Sequence, residues 1–363
     1  MNRSAIGLGL LAVVVVGSLV ATMIDWSGLE RATPERLEPV EVSIFFGGEK
    51  SRLLRNPQVA EIIKNRYRID LDAVKAGSVE MATTLPVAGK DCIWPSNQVA
   101  VELARRTGKT VLGDENIFNS PIVFYAWDQV AEALARKGVA QERRDGTLGA
   151  DLSKIGALIR DRARWQEDLG LNIYGPVKVF STHPAKSNSG NIWSGLLATV
   201  FNGGVTPTEA DLEGLLPKIT AYFDAMGHME HSSGDIFENF LKQGMGSRPI
   251  IVGYENQLVE FLVENAQYAD LIRSKIRVIY PEPTIFASHP LISLTPKCRR
   301  LVQALQDPEL QDIAWSQHGF RTGLIGVQND PAAIEAARLP ATVDLVTPMP
   351  SAAVMEGVIA AVR

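Results

Sequence analysis

Ser181-Thr-His-Pro-Ala-Lys-Ser-Asn-Ser-Gly-Asn191 follows a strand-like run, Val177-Lys-Val-Phe180. Behind it Ile192, Trp193, Leu196, Leu197, Val200 and Phe201 recur at helical spacing until Asn202-Gly203-Gly204 stops the helix. Small hydroxyl and amide residues therefore crowd a helix start, where the first backbone N–H groups have no intrahelical partner. Such a start cradles an anion or another hydrogen-bond acceptor. One Ser or Asn there is explained by ordinary capping. Ser187, Asn188 and Ser189 together, followed by Gly190 for close backbone approach, make a ligand site the competing reading.

The beginning of the chain predicts where that cradle works. Ala5 to Ile24 is an apolar run without a charge, with Arg3 before it and Asp25 after it. That length spans a bilayer as a helix. A cleaved signal has a shorter apolar core and a small-x-small cut site, which Val20-Ala21-Thr22 matches poorly. No Cys follows closely to carry a lipid. The run reads as an uncleaved anchor, with a cleaved signal as the alternative. Arg3 keeps the N-terminal end in the cytoplasm and sends the rest out. The expectation is a single-pass bacterial inner-membrane protein with its globular part in the periplasm or extracellular space.

Residues 25–39 are polar with two prolines and read as a linker. The remainder, from about 40 to 363, is long for one core and predicts two lobes. A formal net charge of −5 with 21% charged residues, and no basic run, gives nucleic-acid binding no electrostatic support. Cys92 and Cys298 match no zinc or redox spacing. In an oxidising compartment they can form one long-range disulfide; two unrelated buried thiols are the other reading.

Val40-Glu-Val-Ser-Ile-Phe-Phe46 alternates like a strand and ends in Gly47-Gly48-Glu49-Lys50. A helix over 57–66, strand-like runs at 68–74, 79–84 and 91–94, and a helix over 96–106 follow. This alternation predicts a mostly parallel α/β unit. Ligands sit beyond the carboxyl ends of such strands, which places Gly47 to Lys50, Thr83-Thr84 and Ser96-Asn97 there. Two long extended segments, 117–127 and 276–286, enclose a second alternating region. It holds helices at 151–168, 207–226 and 235–243, the opening cradle, and the strand Pro249-Ile-Ile-Val-Gly-Tyr254 leading into Glu255-Asn-Gln. Helical segments at 296–306, 308–318 and the C-terminus complete the chain. A second unit inserted between two crossover strands fits this order better than two domains in series, and it puts both cysteines in the first unit.

Strand–Ser-Thr-x-Pro-x-Lys-Ser-Asn-Ser-Gly–helix, with Tyr254-Glu255-Asn256 at a later strand end, resembles the type II periplasmic (extracellular) solute-binding proteins. The branch is the one related to the molybdate, sulfate and phosphate receptors. The resemblance covers about 40–330 through short motifs. It implies a two-lobe α/β fold with two hinge crossover strands, here preceded by one N-terminal transmembrane helix. Lobe 1 would be 40–120 and 283–363, and lobe 2 would be 121–282. It further implies that the ligand meets Gly48 and Glu49, Ser96 and Asn97, then Ser187, Asn188, Ser189 and Gly190, with Tyr254 and Glu255 at the far strand end. Ser120 and Tyr280 would line the cleft floor, and Ser233 would face the cleft. An ABC-type permease is the implied partner, and no cofactor is implied.

The charge of the solute stays open on these residues. Neutral hydroxyl and amide groups suit a desolvated oxyanion, but Glu49 and Glu255 would repel one unless neutralised. Lys50 and Lys186 could do so; otherwise the pair suits an amine or a metal ion. Other chemistry finds little support. Thr107-Gly108-Lys109-Thr110 ends like a phosphate loop, but its first glycine is replaced by Leu103. No Gly-x-Ser-x-Gly or His-Glu-x-x-His occurs. His228 and His231 share a helical face without a third nearby His or Cys. Ser232 with Asp235 reads as a helix start, His183 beside Pro184 as a turn residue, and the aromatic runs as core. An anchored solute-binding protein is the expectation, with a membrane-anchored sensor or scaffold of an envelope complex as the alternative and an enzyme disfavoured.

Overall fold

The structure is a computed structural model that describes residues 37–362. The expected anchor over 5–24 lies outside the described residues, as does most of the linker. Among the described residues no helix is long and apolar enough to cross a membrane.

From Val40 onward the chain builds two sheets that share one strand. The first sheet holds β1 (Val40–Phe46), β2 (Ile69–Lys75), β3 (Cys92–Trp94) and β9 (Phe286–Ser293), with the first part of β4 (Gly113–Trp127) at its edge. β1 runs parallel to β2 and β3, while β9 is antiparallel to both β3 and β4. β10 (Arg321–Thr322) caps β4. The second sheet takes the rest of β4, from Ile122, between β7 (Ile250–Tyr254) and β8 (Ile276–Glu282). β6 (Leu148–Asp151) and β5 (Ala140–Glu142) extend it beyond β8. The chain thus crosses out of the first sheet along β4 and returns from β8 to β9, as the two extended segments predict.

Alternation explains the strands. In β1 Val42, Ile44 and Phe46 are buried at every second position, which is the period of a pleated strand. β7 is buried at all five residues because helices cover both its faces. Helix Asn188–Phe201 is buried along nearly its whole length and packs Ile192, Trp193, Leu196 and Leu197 into the second sheet's core.

Two expectations are corrected. The run 79–84 is not a strand; Ser78–Ala82 is a short helix, with the Met81 and Thr83 N–H groups donating to the Gly77 and Val79 carbonyls (both 2.9 Å). Met81 and Ala82 are adjacent and both fully buried in the core beneath the first sheet. The run 177–182 is extended beside β7 but forms only one bridge, Phe180 with Ile251, between flanking Pro176 and Pro184. The C-terminal helix, Ala352–Ala361, splits its packing: Ala352 and Met355 enter a first-sheet core, whereas Val358 and Val362 enter the core under Asn188–Phe201.

Cys92 of β3 and Cys298, the first residue of helix Cys298–Leu305, form a disulfide across 206 residues of sequence. Removing it with Cys298→Ser, or by reduction, is expected to lower the unfolding free energy by about 2–5 kcal/mol. Urea unfolding with and without dithiothreitol measures this, and the Cys298→Ser protein should show no further loss on reduction.

Candidate functional site

The carboxyl ends of β1 and β3 supply one wall of a cleft. β1 ends in a tight turn, Gly48–Lys50, whose first bond runs from the Lys50 N–H to the Gly47 carbonyl (3.1 Å). The turn drives the Lys50 ammonium inward, where it is fully buried. It is ion-paired with Glu49 and donates to Ser96 Oγ (3.0 Å) and the Pro95 carbonyl (3.3 Å). His289 Nδ1 lies 3.2 Å away, and the Trp94 ring centroid 5.2 Å. The Ser96 hydroxyl also donates to Glu49. Gly47 is obligatory here: a Cβ would meet Glu49 Oε1 and Ser96 Oγ, each at 2.6 Å. A buried cation is tolerated only with such pairing and hydrogen bonding.

These contacts set the charges. Burial alone would raise the Glu49 carboxyl, but the Lys50 cation and the His289 contact hold it well below the usual carboxylate range, so it is ionised. Burial, reinforced by Lys50, pushes His289 down from 6.5 to about 4, so the imidazole is neutral.

The opposite wall is the sequence cradle. Ser187 precedes helix Asn188–Phe201, and Ser189 Oγ lies 2.8 Å from Thr182 Oγ1 and 3.2 Å from Ser187 Oγ. A Cβ on Gly190 would run into the Thr182 carbonyl, so only glycine lets the helix start pack on the incoming strand. Asn188 reaches across the cleft. Its Nδ2 donates to the Ser96 carbonyl (2.7 Å) and to the Tyr254 hydroxyl (3.0 Å), and its Oδ1 accepts from Asn97 Nδ2. Asn97 Oδ1 in turn accepts from the Ala100 N–H (2.9 Å), capping helix Val99–Arg106. Tyr254 is buried, and burial, with the Glu49 carboxylate beside it, keeps its hydroxyl protonated well above the usual phenol range.

Glu255 is placed differently from Glu49. Arg321 holds it through two bonds, Nε to Oε2 (2.6 Å) and Nη2 to Oε1 (2.9 Å), and the Tyr280 hydroxyl donates to Oε1 (2.5 Å). Arg321 is fixed by the Pro340 and Ala341 carbonyls. The second carboxylate is therefore saturated inside the protein. Ser120 is likewise internal, donating to Asn256 Oδ1 (3.1 Å).

The open part of the cleft has a volume of about 300 Å³. Of the sequence candidates, Gly48, Glu49, Ser187, Asn188 and Ser233 line it, with Lys186 at its edge. Ser96, Asn97, Ser189, Gly190 and Tyr254 stand behind those walls in the network just described, and Ser120, Glu255 and Tyr280 lie deeper. Lys75, Gly77, Ser78, His231 and Glu80 also line it, the last 3.9 Å from the Lys186 ammonium. Lys75 has its stem laid over Gly48, and among the described residues its ammonium has no carboxylate partner. Its position at the end of β2 was a readable signal, since strand ends face such clefts. His289 and Arg321 carry no local signal; only tertiary structure brings them in. His183 and His231 stand with ring centroids 6.1 Å apart. Among the described residues no group of three or more His, Cys, Asp or Glu is arranged to hold a metal ion.

Two sheets sharing a crossover strand, with a cleft beyond the strand ends, is the fold of the type II periplasmic solute-binding proteins. Among solved structures, the chain is similar to iron-bound HitA from Pseudomonas aeruginosa (TM-score 0.55, 14% identity, covering 89% of this chain and 97% of that one). It is also similar to the substrate-binding protein of an ABC transporter from Agrobacterium tumefaciens (0.53, 13%, 91% and 96%). A third is the sulfate-binding protein SubI from Mycobacterium tuberculosis H37Rv (0.51, 13%, 88% and 96%). No protein-family model matches the chain, and no curated protein does. At these identities the likeness establishes the fold.

Two predictions follow from the charge arrangement. Arg321→Met strands a fully buried carboxylate and is expected to cost about 3–5 kcal/mol in urea unfolding, with Glu255→Leu added in the same chain recovering much of the loss. For His289, the unfolded chain binds its proton below 6.5 while the folded chain does so only near 4. Stability contributed by the neutral imidazole is thus lost as pH falls from about 6.5 to about 4, on the order of 3 kcal/mol. The wild-type protein should lose more stability over that interval than His289→Gln.

Proposed function

We propose that the protein is an extracytoplasmic solute-binding protein that captures a small oxyanion-bearing solute in this cleft for ABC-type transport. The observation that carries the reading is the sign of the cleft. The starts of helices Asn188–Phe201 and Ser233–Gln243 both open on it, and the Lys75 and Lys186 ammonium groups stand at its walls. Helix starts and lysines favour negative charge. Of the carboxylates near the cleft, Glu49 is matched by Lys50, Glu255 by Arg321 and Glu80 by Lys186 (3.9 Å), which leaves Lys75 as the unmatched charge on this chamber's wall among the described residues. An amine or a ferric ion would find no free carboxylate cluster among the described residues. Among the similar folds, the sulfate-binding protein rather than iron-bound HitA is then the better guide to this site.

On this reading residues 40–120 with 283–363 form one lobe and 121–282 the other. Closure about β4 and the β8–β9 connection brings Ser187 to Gly190 toward Gly48, Glu49, Ser96 and Asn97. The solute stabilises the closed form by its differential affinity for it. The disulfide fits an oxidising compartment, and the apolar run 5–24 would tether the protein to the inner membrane.

Thermal shift and calorimetry with sulfate, phosphate, molybdate, ferric citrate, amines and sugars test the reading. An oxyanion at 100 times its Kd should add about 2.7 kcal/mol of stability. Lys75→Ala, Lys186→Ala and Ser189→Ala should each weaken that oxyanion. Stabilisation by no oxyanion, together with stable co-purification of envelope proteins, would sink it in favour of a sensor or scaffold.

A further inference from the structure

The cleft does not end at the chamber just described. A second chamber of about 290 Å³ adjoins it, and the two share Gly48, Glu49, Lys75, Ser232 and Ser233 as common wall. At about 30 Å³ per water, each holds roughly ten waters. A bare tetrahedral anion, one central atom with four oxygens, leaves most of one chamber unfilled and all of the other. Sites of this size suit organic ligands.

The second chamber is built for hydrogen bonding rather than for charge. Asn256 lines it and is fully buried; its Oδ1 accepts from Ser120, while its Nδ2 has no partner among the described residues. Leaving a buried donor unpaired is costly, so a ligand acceptor there is strongly favoured. The Arg55 guanidinium, bonded only to the Ser51 carbonyl through Nε (3.0 Å), lines the same chamber. Asp235, in the first turn of helix Ser233–Gln243, lines the same chamber with no partner among the described residues. Other charged groups of the lining have partners: Arg52 pairs with Glu264 (3.1 Å), Glu260 lies 2.9 Å from His318 and 3.9 Å from Arg52, and Glu238 pairs with Lys242 (2.9 Å). Free donors and a free acceptor in the lining of one chamber match a hydroxyl, which accepts and donates at one atom.

Resting on the oxyanion reading above, we infer that the solute is an organic oxyanion with a hydroxylated tail, a sugar or polyol phosphate or sulfate monoester. Its anionic head lies by Lys75, Lys186 and the 188–201 helix start, and its hydroxyls lie by Asn256, Arg55 and Asp235.

Calorimetry on the whole chain tests this with inorganic phosphate, inorganic sulfate, and the phosphate and sulfate monoesters of glycerol, ribose and glucose. At least one ester should bind ten times or more tighter than its inorganic head, and the phosphate and sulfate series identify the head group. Arg55→Ala and Asp235→Ala, both at exposed positions, should each weaken that ester about tenfold while leaving the inorganic anion unchanged. Asn256→Leu should do the same wherever its melting curve shows it folded. Inorganic anions that bind as tightly as every ester, or ester affinities untouched by Arg55→Ala and Asp235→Ala, overturn the inference and leave the oxyanion reading standing. Binding of none of these compounds overturns both.

Discussion

β4 is the constraint on which the rest depends. Its first part is hydrogen-bonded to β9 and its second to β7 and β8, so one strand belongs to two sheets. The change of partner falls at Pro121-Ile122. Because backbone ladders fix register, everything on either sheet is positioned relative to everything on the other through this strand. Ser120 sits at the change-over, and its bond to Asn256 ties the crossover to the start of helix Glu255–Glu264. The cleft is the space left where the carboxyl ends of β1 and β3 face the helix starts that follow residues 187, 232 and 254.

Charge in the interior is arranged so that one cleft cation, Lys75, is left unmatched: Lys50 offsets Glu49, and Lys186 offsets Glu80. Lys50 and Arg321 are both buried, and each is matched to one carboxylate. Exchanging these pairs for apolar groups would not be expected to cost stability, since buried ion pairs roughly break even. On the oxyanion reading their effect would be on the ligand: they offset two negative charges while holding hydroxyl, amide and phenol groups in place. Lys75 and Lys186 stand on exposed stems, Lys186 beside Glu80 (3.9 Å), and carry no desolvation penalty of comparable size.

What the sequence made legible is what is encoded locally. The 188–201 helix, its polar start, the β1 turn and the strand end at Tyr254 each rest on fewer than about fifteen consecutive residues, within reach of capping and periodicity rules. Glu49 and Glu255 looked equivalent from sequence, both acidic and both following a strand. They are distinguished by Arg321, 66 residues from Glu255, and by His289, 239 residues from Lys50. No spacing rule reaches that far. The helix Ser78–Ala82 was read as a strand because five residues are too few for a 3.6-residue period to show. Asn188 lines the chamber, and its three hydrogen bonds to protein groups could not be foreseen from the helix start alone.

Those three bonds bear on how the cleft works. On the two-lobe reading, Ser96 and Asn97 belong to one lobe and Asn188 and Tyr254 to the other. The Asn188 carboxamide therefore joins the lobes directly, with its donors and its acceptor all engaged. Each bond is worth only about 0.5–1.5 kcal/mol net, because water replaces it on opening. The two that cross between lobes together still amount to ~1–3 kcal/mol favouring closure. Apparent affinity scales with the fraction of protein already in the binding-competent form. A protein contact that raises this fraction tightens binding for every solute alike. Such a contact contributes nothing to choosing among solutes; on the proposed function Asn188 would set how strongly the cleft closes, and the unpaired groups along its two chambers would set what it closes on.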